Sequence, residues 1–406
     1  MPAGRWPSFF SVHQRIVIIT AGPPCRHPRP VKEAGTLGRA GYEVTLLTPP
    51  AIPAYAALDD LLTAGAPFRH LRAPAAFPLL ERGFSRLART LARRGWRTAR
   101  SLGPRRELAR LADRLPADLV IVHTEIPFII GRSLARRGRK VAADFEDWHS
   151  QDLRPADRRL RPLGFLARLE RDLMQNACYT TTTSQALSDG LRAAYGGRPA
   201  HVLANAFPLQ PDPKTGPVNR PPSLVWFSQT VGPGRGLEEF LPLWGRLATP
   251  SALTLVGAAA DGYPERLAGL VPAAARERLR FQPSVPAGEL PVLLARHDVG
   301  LALEEASIRN RDLTITNKIL QYFNAGLAVI ATPTQGQLEA LRQASGAGIA
   351  VPLAAGAVPI LDGLLADPAR LQAMGRLARR AAEGEYCWER QEPRLLQLVA
   401  EALTGT

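Results

Sequence analysis

The sequence has little cysteine, almost no lysine and no long apolar run, and each scarcity excludes something. Its three cysteines, Cys25, Cys178 and Cys387, are odd in number and far apart. That excludes a disulfide framework and any zinc site built on closely spaced cysteine pairs, and a reducing, cytoplasmic setting fits it. No uninterrupted apolar stretch approaches the ~20 residues a membrane-spanning helix needs. Arg5 followed by Ile16–Ala21 has the outline of a leader peptide, but Val12-His13-Gln14-Arg15 interrupts it and no small-residue cleavage site follows. Arg15–Thr20 therefore reads as a first strand. There is no repeat of solenoid period.

What is abundant is arginine: only four of the 51 basic residues are lysine, and the net charge is +15. A GC-rich coding bias accounts for arginine replacing lysine, but not for where the charge lies. Residues 1–210 hold 32 basic against 17 acidic side chains, while residues 211–406 hold 19 of each. The whole excess sits in the first half, much of it between Arg69 and Arg114. A one-sided basic surface implies an anionic partner: lipid headgroups, a lipid-linked pyrophosphate or nucleic acid.

At 406 residues the chain is long enough for two domains. Short β-branched runs alternate with Ala/Leu/Arg stretches of helical period, the pattern of parallel sheets wrapped by helices. Six strands are predicted in each half: near residues 15–20, 42–48, 117–123, 140–146, 179–184 and 200–204, then near 224–229, 252–256, 279–282, 299–304, 328–332 and 348–352. The predicted fold is α/β, with two tandem Rossmann-like domains and a cleft between them. Six prolines between Phe207 and Pro222 cannot continue a helix or central strand. The predicted organisation is thus an N-terminal domain over 1–206, a linker at 207–222, a second domain over 223–385, and a C-terminal segment, 386–406, whose helix packs back on the first domain.

Between Leu79 and Leu91, Leu80, Phe84, Leu87 and Leu91 fall on one helical face, with Arg82, Arg86, Arg89 and Arg93 between them. Two readings stay open: a packed surface helix with a solvated cationic side, or a helix lying in the headgroup region of an anionic membrane, with Trp96 just beyond.

The segment Asp312-Leu-Thr-Ile-Thr-Asn-Lys-Ile-Leu-Gln-Tyr-Phe-Asn-Ala-Gly-Leu-Ala-Val-Ile-Ala-Thr332 carries the most chemistry. It reads as a polar loop, a short helix starting near Thr316 and stopped by Gly326, then a buried strand. Free amides at that helix start, the hydroxyls of Thr314 and Thr316, Asn317 and the Lys318 cation would together hold a diphosphate. Gln321, one turn on, would face the donor's ribose. This stretch resembles the Asn-Lys-x-x-Glu/Gln-Tyr…Ala-Gly-Leu-x-Val-Ile-Ala-Thr segment of GT-B glycosyltransferases related to family 4. Val225-Trp-Phe-Ser-Gln-Thr-Val-Gly-Pro-Gly-Arg-Gly-Leu-Glu238 resembles the first strand and Gly-rich turn of their nucleotide-binding domain. The resemblance puts Arg235 at the cation that pairs with the donor's phosphates, flanked by Gly234 and Gly236, which let the backbone approach closely. In the first half, Gly22 stands in the loop after the first strand, and Asp144-Phe-Glu-Asp-Trp-His149 follows the fourth. The resemblance spans residues 14–390 and is loosest over 50–115.

It implies transfer of a sugar from a nucleoside diphosphate sugar to a hydroxyl acceptor, which can be lipid-linked, in bacterial polysaccharide or glycolipid synthesis. No cofactor and no metal are expected, because cations and helix amides would stabilise the leaving diphosphate. Asp147 and His149 are candidates for the acceptor hydroxyl or for general-base work. The family's pair of glutamates with seven residues between them is broken here, with Leu313 and Gln321 in their places, so Glu304 and Glu305 are the candidates for orienting the sugar. Asp144 and Glu146 alternate along a strand, which speaks against an acidic metal motif. Two rivals remain: a nucleotide-sugar epimerase of the same fold, and a nucleic-acid-binding protein. Against the latter, the arginines are not interleaved with aromatics and no reading motif is present. The expected location is cytoplasmic, with the inner face of the plasma membrane open as a place of attachment.

Overall fold

In the computed structural model the apolar runs become parallel strands with their side chains buried on both faces, as sheets covered by helices require. Residues 14–74, 79–286 and 288–405 are described. Arg5, Val12 and His13, on which the leader reading turns, lie outside them. The first sheet contains β1 (Arg15–Ile19), β2 (Glu43–Thr48), β3 (Arg69–Arg72), β4 (Leu119–His123), β5 (Val141–Phe145), β6 (Thr180–Thr182) and β7 (His201–Val202), in the order β3-β2-β1-β4-β5-β6-β7. The second contains β8 (Ser223–Val231), β9 (Ala252–Ala259), β10 (Leu279–Gln282), β11 (Val299–Ala302), β12 (Ala328–Ala331) and β13 (Gly348–Ala350), in the order β10-β9-β8-β11-β12-β13.

In both sheets the strand order reverses beside the first strand, and the pairings there are parallel. Ile18 of β1 sits level with Leu46 of β2 and Ile121 of β4, and Leu224 of β8 sits level with Val299 of β11. Such a switch point opens a crevice at the carboxyl ends of the two central strands, where open α/β sheets take their ligands. The loops leaving β8 and β11 are therefore the ones to inspect.

The sequence reading missed one strand, β3. Arg69-His-Leu-Arg72 offers no apolar alternation, but it pairs with β2 at the sheet's edge, where charged side chains discourage pairing with another chain. The second sheet packs around Trp226, Phe240, Leu241 and Trp244, all essentially inaccessible. Truncating one such aromatic costs about 3–5 kcal/mol.

Two compact units result. One runs to Asp144 and adds Leu160–Thr180 and the residues from Leu395 onward; the other holds Phe145–Arg159 and Thr181–Arg394. In the first unit Lys140 donates from Nζ to the Ala402 and Leu403 carbonyls at 2.9 and 2.7 Å. These are last-turn carbonyls of the Trp388–Thr404 helix, which lack intrahelical partners. Among the described residues no helix is long and apolar enough to cross a membrane.

Candidate functional site

Within the second unit, the loop after β8 brings Gly234 and Gly236 into the left-handed region, with φ +75° and +74°. A side chain on Gly234 would meet the Arg154 side chain at 2.8 Å and Glu305 Oε1 at 3.2 Å. Gly236 then caps the Leu237–Trp244 helix. Arg235, held between these two turns, is half-buried and makes no hydrogen bond or ion pair among the described residues. Burial lowers its pKa; Glu304 offsets this, and Arg311 adds to it.

Lys318 comes to the same place from the Asn317–Ala325 helix. That helix opens at Thr316 and stops at Gly326 with φ +73°, as the sequence predicts. Thr316 does not cap it with its side chain, and the Thr316 hydroxyl is buried with no partner. Lys318 is buried, its Nζ 2.5 Å from Glu304 Oε1 and 5.6 Å from the centre of the Trp226 ring. Burial lowers its pKa; Glu304 opposes this, while Arg235 and Arg311 reinforce it. Three cations thus crowd around one buried carboxylate, and their mutual repulsion marks a site short of negative charge. Gln321 is buried and has no side-chain hydrogen bond among the described residues. Asn317 is exposed. Thr314 donates from Oγ1 to Asn310 Oδ1 at 3.2 Å.

Arg311 was not singled out by the sequence. It lies on the one-turn helix Arg309–Leu313 and donates from Nη1 to the Gly234 carbonyl, tying the two loops together. Its neighbour Asn310 was missed as well. Asn310 Nδ2 donates to Asp147 Oδ1 at 2.7 Å, and its Oδ1 accepts the Trp148 amide at 2.7 Å. One asparagine therefore fixes the loop after β5 against the loop after β11. The Trp148 indole adds a hydrogen bond to Tyr195 at 2.8 Å. Neither residue carries a motif, since an arginine and an asparagine in a polar loop look alike whether they face a site or water.

Asp147 is consequently held in place, and His149 lies near enough to act on its charge. Burial first, and then the Asp152 and Glu146 carboxylates, push the Asp147 carboxyl up to about 6, against the pull of His149 and the Asn310 hydrogen bond. Asp152 also faces Arg235 electrostatically. Asp147, His149, Glu304, Glu305, Gly234, Arg235, Gly236, Thr314, Thr316, Asn317, Lys318 and Gln321 all belong to this unit.

Gly22 belongs to the first unit, where a side chain on it would collide with the His27 ring at 2.5 Å. The same unit buries Glu33, His123 and Asp144, whose ligand atoms lie within 4.8 Å of one another, close enough to hold a metal. The residues present fit a different cation. Arg29 Nε donates to Asp144 at 2.5 Å and to Glu33 at 3.1 Å, and His123 Nε2 lies 3.1 Å from Glu33. Burial alone would raise Glu33, but His123 and Arg29 outweigh it and hold the carboxyl at about 2. The guanidinium supplies the positive charge that a metal would otherwise bring.

With this geometry in view, comparison with known proteins becomes informative. Residues 32–206 match the glycosyl transferase 4-like domain, and residues 238–397 match the glycosyl transferase-like domain. The chain therefore belongs to the GT-B glycosyltransferases that combine these two domains, and it is a transferase. No curated protein sequence matches it significantly. Among solved structures it is similar to the sucrose-phosphate synthase of Thermosynechococcus elongatus, at 15% identity over 97% of this chain and 100% of that one, with a TM-score of 0.72. Anabaena HepE in complex with UDP-glucose gives 15% identity over 96% and 100%, with a TM-score of 0.68. A Listeria monocytogenes protein described as a UDP-N-acetylglucosamine 2-epimerase gives 12% over 97% and 98%, with a TM-score of 0.60. At such identities the likeness shows the fold alone, and the two domain matches decide between transfer and epimerisation.

Proposed function

We propose that the enzyme moves a sugar from a nucleoside diphosphate sugar to a hydroxyl acceptor, with the diphosphate seated among Arg235, Arg311, Lys318 and the first turn of the Asn317–Ala325 helix. One observation carries this reading: Arg235 is half-buried, has no ion pair among the described residues, and lies in the field of Arg311 and Lys318. A partly desolvated cation whose neighbouring Glu304 carboxylate is already engaged by Lys318 is poised for an anionic ligand, and a guanidinium suits phosphate oxygens in pairs. The diphosphate complex of a similar protein, HepE with UDP-glucose, supports the donor class.

In the proposed reaction the bond between the sugar's C1 and the diphosphate oxygen breaks, and the acceptor oxygen forms a bond to C1. Asp147, ionised above about pH 6, accepts the acceptor's proton, and His149 beside it tunes that carboxylate. Negative charge growing on the departing diphosphate is met by the three cations and by helix amides, so no metal or cofactor is needed for that step. Glu304 and Glu305 orient the sugar hydroxyls, Gln321 faces the ribose, and the backbone at Gly234 and Gly236 approaches the donor. Gly22 is assigned to the donor loop of the first unit. The acceptor belongs to polysaccharide or glycolipid synthesis and is carried on a lipid, with the enzyme in the cytoplasm at the membrane's inner face. A linker at 207–222 separates the two domains.

The experiment is a thermal-shift panel of UDP, GDP, ADP and dTDP on the wild type, Arg235→Ala and Lys318→Ala. A shift with at least one nucleotide, lost in both variants, supports the site. Equal shifts in all three proteins mean the phosphates bind elsewhere. Donor incubated without acceptor should yield no epimer; an epimer would move the enzyme to the rival activity.

A further inference from the structure

The Leu79–Arg93 helix turns two of its large apolar side chains to solvent while burying small ones. Its buried positions are Glu81, Ser85, Ala88 and Ala92, a stripe at helical spacing made of small or polar side chains. Of its large apolar side chains among the described ones, Phe84 is 47% exposed and Leu87 is 53% exposed, while Leu91 is half-buried; Trp96, just past the end, is 72% exposed. Leaving such groups in water forgoes burial that the neighbouring alanines accept instead. Two of the apolar positions on which the packed reading relied, Phe84 and Leu87, are thus turned to solvent. Leu80 and Arg82, named in the same row, have side chains outside the described ones.

Charge on this surface is of one sign. From residue 82 to residue 106 there are nine arginines and no acid. Glu81, immediately before, is turned inward, accepting the Arg105 and Arg106 amides at 3.0 and 3.1 Å. Among the described residues, Arg86, Arg93, Arg94 and Arg97 are exposed and have no ion-pair partner. A shallow hollow lined by Ser85, Arg86, Arg89 and Pro104 opens on the same surface, and Arg100 lies over the Phe84 ring at 5.6 Å.

We propose that this helix and the segment on to Arg106 dock on an anionic lipid bilayer, Phe84, Leu87 and Trp96 entering the interface while the arginines meet headgroup phosphates. A second copy of the chain would bring like charge against like. Nucleic acid would satisfy the arginines but leave Leu87 without a partner, since leucine offers no ring for a base to stack on. A negatively charged membrane surface satisfies both halves of the pattern. The proposal rests on the glycosyl-transfer reading only in giving the docking a purpose, delivery to a lipid-linked acceptor.

The test uses the full chain with vesicles of phosphatidylcholine alone and of phosphatidylcholine mixed with phosphatidylglycerol. Co-sedimentation is expected with the mixed vesicles only, weakening as salt rises. Arg86→Gln, Arg93→Gln and Arg94→Gln combined should weaken it about a hundredfold, at about fivefold for each arginine near the surface. Phe84→Ser with Leu87→Ser should abolish it, and a blue shift of tryptophan emission on binding should vanish in Trp96→Phe. Melting temperature and nucleotide-induced thermal shift, unchanged in these variants, show that fold and donor site persist. Equal binding to neutral vesicles, indifference to the substitutions, self-association that Phe84→Ser removes, or preference for DNA over vesicles would each overturn the proposal. If the wild type binds vesicles but no nucleotide, the donor reading fails and the docking surface stands.

Discussion

The two halves of this molecule treat positive charge and apolar surface in opposite ways. In the second unit, Arg235 and Lys318 are drawn inward beside Arg311, while a large aromatic core is closed off around Trp226 and Trp244. The first unit buries Arg29 between two carboxylates but leaves most of its arginines at least partly exposed, and eight of the eleven exposed large apolar side chains among the described residues fall in it, Leu58, Leu61 and Leu62 of the Pro53–Thr63 helix included. Desolvated cations gathered around a single carboxylate suit a small, multiply charged ligand; solvated cations interleaved with apolar side chains suit an extended surface. Net charge alone would have merged these two designs into a single basic protein.

The sharpest way to break the contrast is at the inward cations. Arg235→Ala or Lys318→Ala should each reduce kcat/KM at least about a hundredfold, measured with saturating acceptor; rates near wild type in both would remove the functional distinction between buried and surface cations. Next in size is acid stability. Glu33 sits lower in the folded protein than its ordinary value of 4.5, so its ionisation stabilises the fold above about pH 4.5. That contribution, on the order of 3 kcal/mol, disappears as pH falls toward about 2. Glu33→Gln should flatten this limb of a stability-versus-pH curve from urea melts, and an unchanged limb would show the Arg29 network to be without weight.

A smaller effect concerns Asp147. Its carboxyl is raised to about 6, so it is protonated and idle as a base below that pH and available above it. The pH profile of kcat/KM should climb through about pH 6 by up to tenfold per unit, and Asp147→Asn should lose that limb along with most of the activity. Smallest of all, Phe84→Ser on the exposed helix should leave thermal stability within about 0.5 kcal/mol of wild type, whereas Phe240→Ala in the second core should cost about 3–5 kcal/mol. A large loss at Phe84 would mean that its ring is packed after all.

Much of the architecture was legible because burial writes itself into local pattern. Continuous apolar runs such as Leu119–His123 and Val299–Ala302 are what a strand covered on both faces needs, and the Thr316 start and Gly326 stop of the Lys318 helix follow from local backbone chemistry. The motif cations were legible for the same reason, being tied to a turn and a helix start with fixed sequence spacing. Arg69–Arg72 was not, because a polar edge strand is held by its neighbour rather than by its own pattern.

By itself, then, the sequence determined the alternation of strands and helices, the pairing of Arg235 and Lys318 with a Gly-rich turn and a helix start, and the confinement of excess charge to the first half. Only the tertiary structure decided that Arg311 and Asn310 join these residues, and that Phe84 and Leu87 face outward while Ala88 and Ala92 face in. It also decided that Arg29 fills the space between Glu33 and Asp144. The physical reason is range. Helix starts, turns and strand burial are governed by neighbours in the chain, whereas the partner of a charge and the covered face of a helix depend on residues a hundred or more positions away, as in the contacts of Asn310 with Asp147 and of Arg29 with Asp144.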